Sequence, residues 1–213
     1  MTINEYQTET LRTAAGMNRP NNDEILLNGV AERIEKFNNL MGDIVPPEVK
    51  KDLLDEGFFT APASTKYHGN YEGGLFDHSY MVARYLKKLT EECRLDWQNP
   101  RSPLLVGMFH DLCKIDNYQH PVIAKTLGGE EIRDDYKWEY ATDTLLKGHG
   151  DKSVMVLAQY FKLTEEEIMC IRYHMGAFTD KEEWRDYTRA VHRYPNVLWT
   201  HHADMIASHV EGV

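Results

Sequence analysis

Apolar residues recur at spacings of three and four along much of this chain, a period that suits helices and does not suit strands. From Asp23 to Met41, Leu26, Val30, Ile34, Phe37 and Met41 make one apolar stripe with charged residues opposite. Pro46-Pro47 opens a second, short helix that ends at Gly57. Proline suits a first turn because its missing N–H would be unpaired there, and glycine suits a stop because it tolerates positive φ. The glycine-rich segment YHGNYEGGLFDHS breaks the period before a helix from about Leu75 to Leu95. Another helix is expected from Ser102, its N-cap, to about Lys114, with Pro103 in the first turn and Leu105, Val106 and Phe109 inside. Later helices run from about Lys152 to Phe161, from Thr164 to His174, from Thr179 to about Arg193, and onward from Pro195. Thr164 and Glu167 have capping-box spacing.

Residues 115–147 are aromatic and charged without sustained helical period, and Gly128-Gly129 between short alternating stretches predicts a small hairpin or irregular flap. Residues 1–20 carry few apolar anchors and end in RPNND, which reads as a loose N-terminal arm. The expectation is therefore an all-α fold. A single helical bundle of about seven helices spans residues 21–213, with the flap inserted near 115–147.

Charge narrows the partners. A formal net charge of −10 opposes long nucleic acid, whose binders normally carry a basic surface. Small anionic substrates stay compatible with it, because bound divalent cations reverse the local field. The longest apolar run, Leu104 to Phe109, is far short of the roughly 20 residues that cross a membrane. The polar start MTINEYQTET lacks a signal-peptide pattern, and a cytoplasmic location is expected. Cys93, Cys113 and Cys170 are widely spaced, without a CxxC pair, and read as reduced thiols in or near the core.

Five of the ten histidines sit beside helix ends, glycines or an aspartate: His78, His110, His149, His174 and His201. Core packing has no need of that pattern. Neutral imidazole and carboxylate together suit manganese, iron, cobalt or zinc, and the absence of cysteine from the set argues against a structural zinc site. Neighbouring helical side chains diverge by about 100°, so His110 and Asp111 cannot act as parallel ligands of one ion, whereas Asp111 can bridge two.

In order, His78, His110-Asp111 and Asp204 resemble the metal-binding pattern of the HD-domain hydrolases: a histidine, a His-Asp dipeptide and a distant aspartate. EGGLFDHS, FHDLCKID, GHGDKS, IRYHMG and HHAD look like blocks of that family, and together they cover roughly residues 64–208. Lys114 is similar to the lysine of the HDxxK subgroup, and His149 and His174 resemble the second-metal ligands of its binuclear members. Where several binuclear relatives have two consecutive histidines, this chain has His174-Met175, and thioether is a poor ligand for these metals.

The resemblance implies one or two divalent ions (Mn, Fe, Co, Zn, Ni or Mg) held by His78, His110, Asp111, His149, His174 and Asp204. It also implies a water activated by metal, with no serine or cysteine nucleophile. Asp111, Lys114 and His201 are then expected in catalysis, His201 lying one turn before Asp204; His68, Tyr71 and Lys114 are expected to touch substrate. His120, His192, His202 and His209 are read as ordinary solvated or packed residues. The expected substrate is a small phosphate ester, with a nucleotide first. A 3'-5' exonuclease acting on short RNA or DNA ranks second, because EGGLFDHS also resembles the HD half of exoribonucleases, which add an OB-fold domain with no counterpart here. A non-catalytic nucleotide-binding protein ranks third.

Overall fold

The computed structural model describes residues 23–144, 146 and 148–213, so the expected arm at 1–20 lies outside the described residues. Eight α-helices are found among them: α1 Asp23–Met41, α2 Pro47–Asp55, α3 Gly74–Cys93, α4 Ser102–Phe109, α5 Gly150–Leu157, α6 Glu165–Arg172, α7 Trp184–Arg193 and α8 Asn196–Ile206. The chain is mostly helical, and the all-helical expectation holds only approximately. Residues 118–140 form two nested antiparallel ribbons, an outer one pairing β1 (Tyr118–Gln119) with β4 (Glu139–Tyr140) and an inner one pairing β2 (Val122–Lys125) with β3 (Glu131–Arg133). Every residue of the inner strands is exposed, which makes this ribbon the flap expected from Gly128-Gly129.

Several boundaries differ for identifiable reasons. Ser102 is the first helical residue rather than the N-cap, and its hydroxyl donates to buried Glu167 (2.9 Å) instead of capping its own helix. The helix expected to reach Lys114 stops at Phe109 and rewinds as a 3₁₀ turn, Leu112–Asp116. The segment from Thr179 starts with a separate 3₁₀ turn, Lys181–Glu183, before α7. Thr164 does form the capping box with Glu167, and Pro47 does open α2. Cys113 and Cys170 are buried, but Cys93, at the end of α3, is exposed.

The core explains how distant helices are brought together. Phe37 of α1, Phe58 and Phe59 after α2, Phe76 of α3 and Phe109 of α4 are fully or almost fully buried. Their rings meet edge-on or tilted, with Phe37 and Phe59 5.5 Å apart and Phe58 and Phe109 5.9 Å apart. Burying each contributes on the order of 1.5–3 kcal/mol. Phe76 lies two residues before His78 and Phe109 one before His110, so this aromatic cluster fixes the two helices that carry those histidines.

Candidate metal centre

Helices α3 and α4 approach closely at Gly107. A Cβ there would lie 2.4 Å from the Ala83 Cα, so any side chain would push the helices apart. Their closeness brings His78 Nε2 to 3.2 Å from His110 Nε2. His110 closes α4 in helical geometry, whereas Asp111 departs from it (φ −104°, ψ 18°), and the 3₁₀ turn then carries Lys114 back beside Asp111. The break in α4 is therefore what aims two sequence neighbours at one cluster of side chains from different directions. His149 is the N-cap of α5, His174 follows the C-cap of α6, and Asp204 comes from α8, which packs along α3.

Asp111 lies at the middle. Its Oδ2 is 3.6 Å from His78 Nε2, 3.5 Å from His110 Nε2 and 2.7 Å from Lys114 Nζ. Its Oδ1 faces the other way, 2.8 Å from His149 Nε2 and 3.4 Å from His174 Nε2. Asp204 Oδ1 is 3.2 Å from His78 Nε2. Three sets of potential ligand atoms result: His78, His110 and Asp111; Asp111, His149 and His174; and His110, His174 and Asp204. Every residue expected as a ligand from the sequence falls in at least one set.

The tautomers show what these atoms face. His110 Nδ1 donates to the Gly107 carbonyl (2.9 Å), His174 Nδ1 to the Ile171 carbonyl (2.7 Å) and His78 Nδ1 to the main-chain oxygen of Val213 (2.9 Å). Each Nε2 is then left with a bare lone pair, the usual arrangement of a metal-binding imidazole held by an outer partner. Two lone pairs 3.2 Å apart, beside two carboxylates, repel unless a cation or proton lies among them. Asp111 Oδ1 and His174 Nε2 are also buried without a hydrogen bond, since His149 stands close to that oxygen but out of hydrogen-bonding geometry. Native proteins rarely leave such atoms without a partner. The donor set of imidazole nitrogens and carboxylates fits a divalent first-row cation.

Electrostatics point the same way. Burial alone would raise the Asp111 pKa, but Lys114, His110 and His149 outweigh it and hold the carboxyl well below its usual range. Asp204 is likewise depressed, burial being overcome where His78 and His110 carry a proton toward it, the positive charge a bound cation would also supply. Burial disfavours the Lys114 charge, but attraction to the Asp111 carboxylate outweighs it and keeps the ammonium cationic. Burial lowers His110, and burial with His78 and Lys114 lowers His68 to about 4.

A pH dependence follows for the metal-free chain. Between pH 6.5 and 5 the unfolded chain protonates both histidines while the folded chain leaves His68 neutral and resists protonating His110. The unfolded state binds more protons, so stability falls on acidification, by about 1.5 kcal/mol through His68, with His110 acting in the same direction. The depressed carboxylates act in the same direction below their ordinary pKa of 3.8. Urea unfolding in chelator at pH 7, 6 and 5 checks the sign; a midpoint that rises toward pH 5 contradicts it.

The remaining expected residues fall into two groups. Lys114 is buried in the centre, and the His68 ring lies 5.0 Å from that of His78, at its edge. Tyr71 does not turn to the centre: its hydroxyl donates to Asp77 (3.1 Å), the partner of Arg33. His201 donates from Nδ1 to the His174 carbonyl (2.8 Å) and joins none of the ligand sets, so it supports a ligand's backbone. Lys152 and Ser153 have roles that the sequence alone does not show. Buried Lys152 bonds to Asp116 and Asn117, and Ser153 accepts from the Cys113 N–H, so α5 is tied to the turn bearing Lys114. Both lie within GHGDKS, but nothing in the spacing marks which polar residue turns inward.

Compared with protein-family models, curated proteins and solved structures, the chain finds no significant match in any of the three.

Proposed function

We propose that this chain is a metal-dependent phosphohydrolase of the HD type, acting on a nucleotide or another small phosphate ester. The observation that carries this reading is the placement of Asp111, one oxygen facing His78 and His110 and the other facing His149 and His174, with Lys114 alongside. A carboxylate shared between two imidazole pairs suits a pair of ions, the first held by His78, His110, Asp111 and Asp204 and the second by Asp111, His149 and His174. When bound, such ions lower the pKa of a water and offset charge on phosphoryl oxygens.

The residues divide the remaining work. The carbonyls of Gly107 and Ile171 hold His110 and His174 with Nε2 inward. Lys114 is a fixed cation in a buried site, where its attraction for a phosphate oxygen gaining charge is greatest. Among the described residues the centre contains no serine or cysteine placed as a nucleophile; Cys113 faces His149 (3.6 Å) but burial pushes its thiol up to about 12.

The experiment combines metal analysis with a hydrolysis screen of nucleoside mono- and triphosphates, cyclic and linear dinucleotides, and short RNA, each with added manganese. Metal in the purified chain and turnover of one class of phosphate ester support the reading. Absence of turnover with every divalent ion, despite tight nucleotide binding, favours a binding protein instead. In the same assay Lys114→Met is expected to keep the wild-type metal content and lose about 10²–10³-fold in turnover, the usual scale for removing one fixed transition-state charge. Turnover by the variant within a few-fold of wild type removes Lys114 from the mechanism.

A further inference from the structure

Of the three imidazoles in the ligand sets that donate Nδ1–H to a main-chain oxygen, His110 and His174 use residues three positions earlier, whereas His78 uses Val213, 135 residues away. The segment that supplies this oxygen continues α8. Past Ile206 the chain forms a π-helical turn, Ala207–Glu211, then reverses at Gly212 (φ +77°), and the Val213 N–H bonds back to the Ala207 carbonyl (3.2 Å). Isolated π turns inside or after α-helices occur often at functional sites. Two fastenings hold this turn to α3: buried Ala207, and a hydrogen bond from the Tyr85 hydroxyl to Glu211. Tyr85 is seven residues after His78, two turns along the same helix face.

One continuous segment thus meets both nitrogens of His78. Asp204 Oδ1 lies 3.2 Å from Nε2, and nine residues later the Val213 oxygen accepts from Nδ1. We infer that residues 207–213 are a latch that positions His78, fixing the Nδ1–H tautomer and thereby the metal affinity of the first ligand set. The affinity part rests on the metal-centre reading above. Free histidine favours the opposite tautomer, with the proton on Nε2, where it would block a ligand. Loss of an outer partner of a ligating histidine typically costs 10–100-fold in metal affinity.

Two variants of the full chain test the latch, deletion of residues 210–213 and Gly212→Val. A Cβ at 212 would meet nothing within 4 Å, so this substitution acts mainly through the positive φ, which a β-branched residue rarely adopts. Nitrogen-15 imidazole spectra of the metal-free proteins read the tautomer directly, and Mn²⁺ titration against a competing chelator reads affinity. Wild-type protein is expected to show His78 as the Nδ1–H form. Both variants are expected to move it toward Nε2–H and to bind Mn²⁺ about 10–100-fold more weakly, with unchanged far-ultraviolet circular dichroism. An unchanged tautomer in both variants overturns the latch whatever the metal does. A wild-type chain that binds no Mn²⁺ overturns instead the metal reading and the affinity part of the inference.

Discussion

Asp111→Asn is expected to abolish hydrolysis, lowering turnover on the order of 10³-fold or more, and to bring metal content below one ion per chain. The side chain keeps its shape but loses the charge that both imidazole pairs face, and stabilisation of transition-state charge by metal amounts to several kcal/mol. A second effect is separable from catalysis. Lys114 is buried and has its carboxylate partner only 2.7 Å away, so neutralising that partner leaves a buried ammonium without a counter-charge. Breaking a buried pair from one side costs about 3–5 kcal/mol, which equilibrium unfolding in chelator would show as a lower denaturant midpoint. Asp111→Asn combined with Lys114→Met should recover most of that stability, because neither partner then carries a buried charge, and should remain inactive. Hydrolysis that persists in Asp111→Asn would remove the proposed chemistry; a double variant no more stable than the single would show that the pair is not what holds this region.

The sequence made the ligands legible because their types and order are chemical signals, whereas the geometry depended on packing that no local pattern contains. α1 was readable from end to end, since five apolar positions shared one face, and the Thr164–Glu167 box was readable because capping is a local interaction. The interruption of α4 after Phe109 was not. Nothing in the apolar run from Leu104 to Phe109 or the residues after it marks a stop before Lys114, and only contact with α5, through Ser153 and the Cys113 N–H, shows why the chain changes to a 3₁₀ turn. That interruption is what lets His110 and Asp111 converge. Tyr71 was assigned to substrate because it lies in the glycine-rich approach to His78, but Arg33, far away in sequence, draws Asp77 and with it the tyrosine hydroxyl. His201 is expected in catalysis from its one-turn spacing to Asp204, and the sequence gives no sign that its Nδ1 is taken up by the His174 carbonyl. In each case a partner remote in sequence decided which way a polar side chain turned.

Metal binding should change stability on a scale similar to Asp111→Asn and in the opposite direction. Without a cation the folded centre holds two carboxylates against one lysine, and facing imidazole lone pairs as close as 3.2 Å. The unfolded chain pays none of that cost, so a divalent ion binds the folded state far better and stabilises it by mass action. At free metal one hundred times the dissociation constant the gain is about 2.7 kcal/mol for one site. For a chain of 213 residues, each kcal/mol raises the melting temperature by roughly 2–4 °C, which makes the expected rise about 5–11 °C for one ion and more for two. Manganese, cobalt or zinc should outperform magnesium, because imidazole nitrogen is a good ligand for the former and a poor one for the latter. The rise should shrink as pH falls from 7 to 5, since protons compete for the same Nε2 lone pairs. His174→Ala, which removes an imidazole from two of the three ligand sets, should lower the number of bound ions from two toward one and keep part of the rise. Melting curves of chelated protein, with each ion added back, decide between the cases: a rise that is metal-selective and pH-dependent is what the bare Nε2 atoms require, and a flat response to every ion would mean that protons, not metals, fill the space between them.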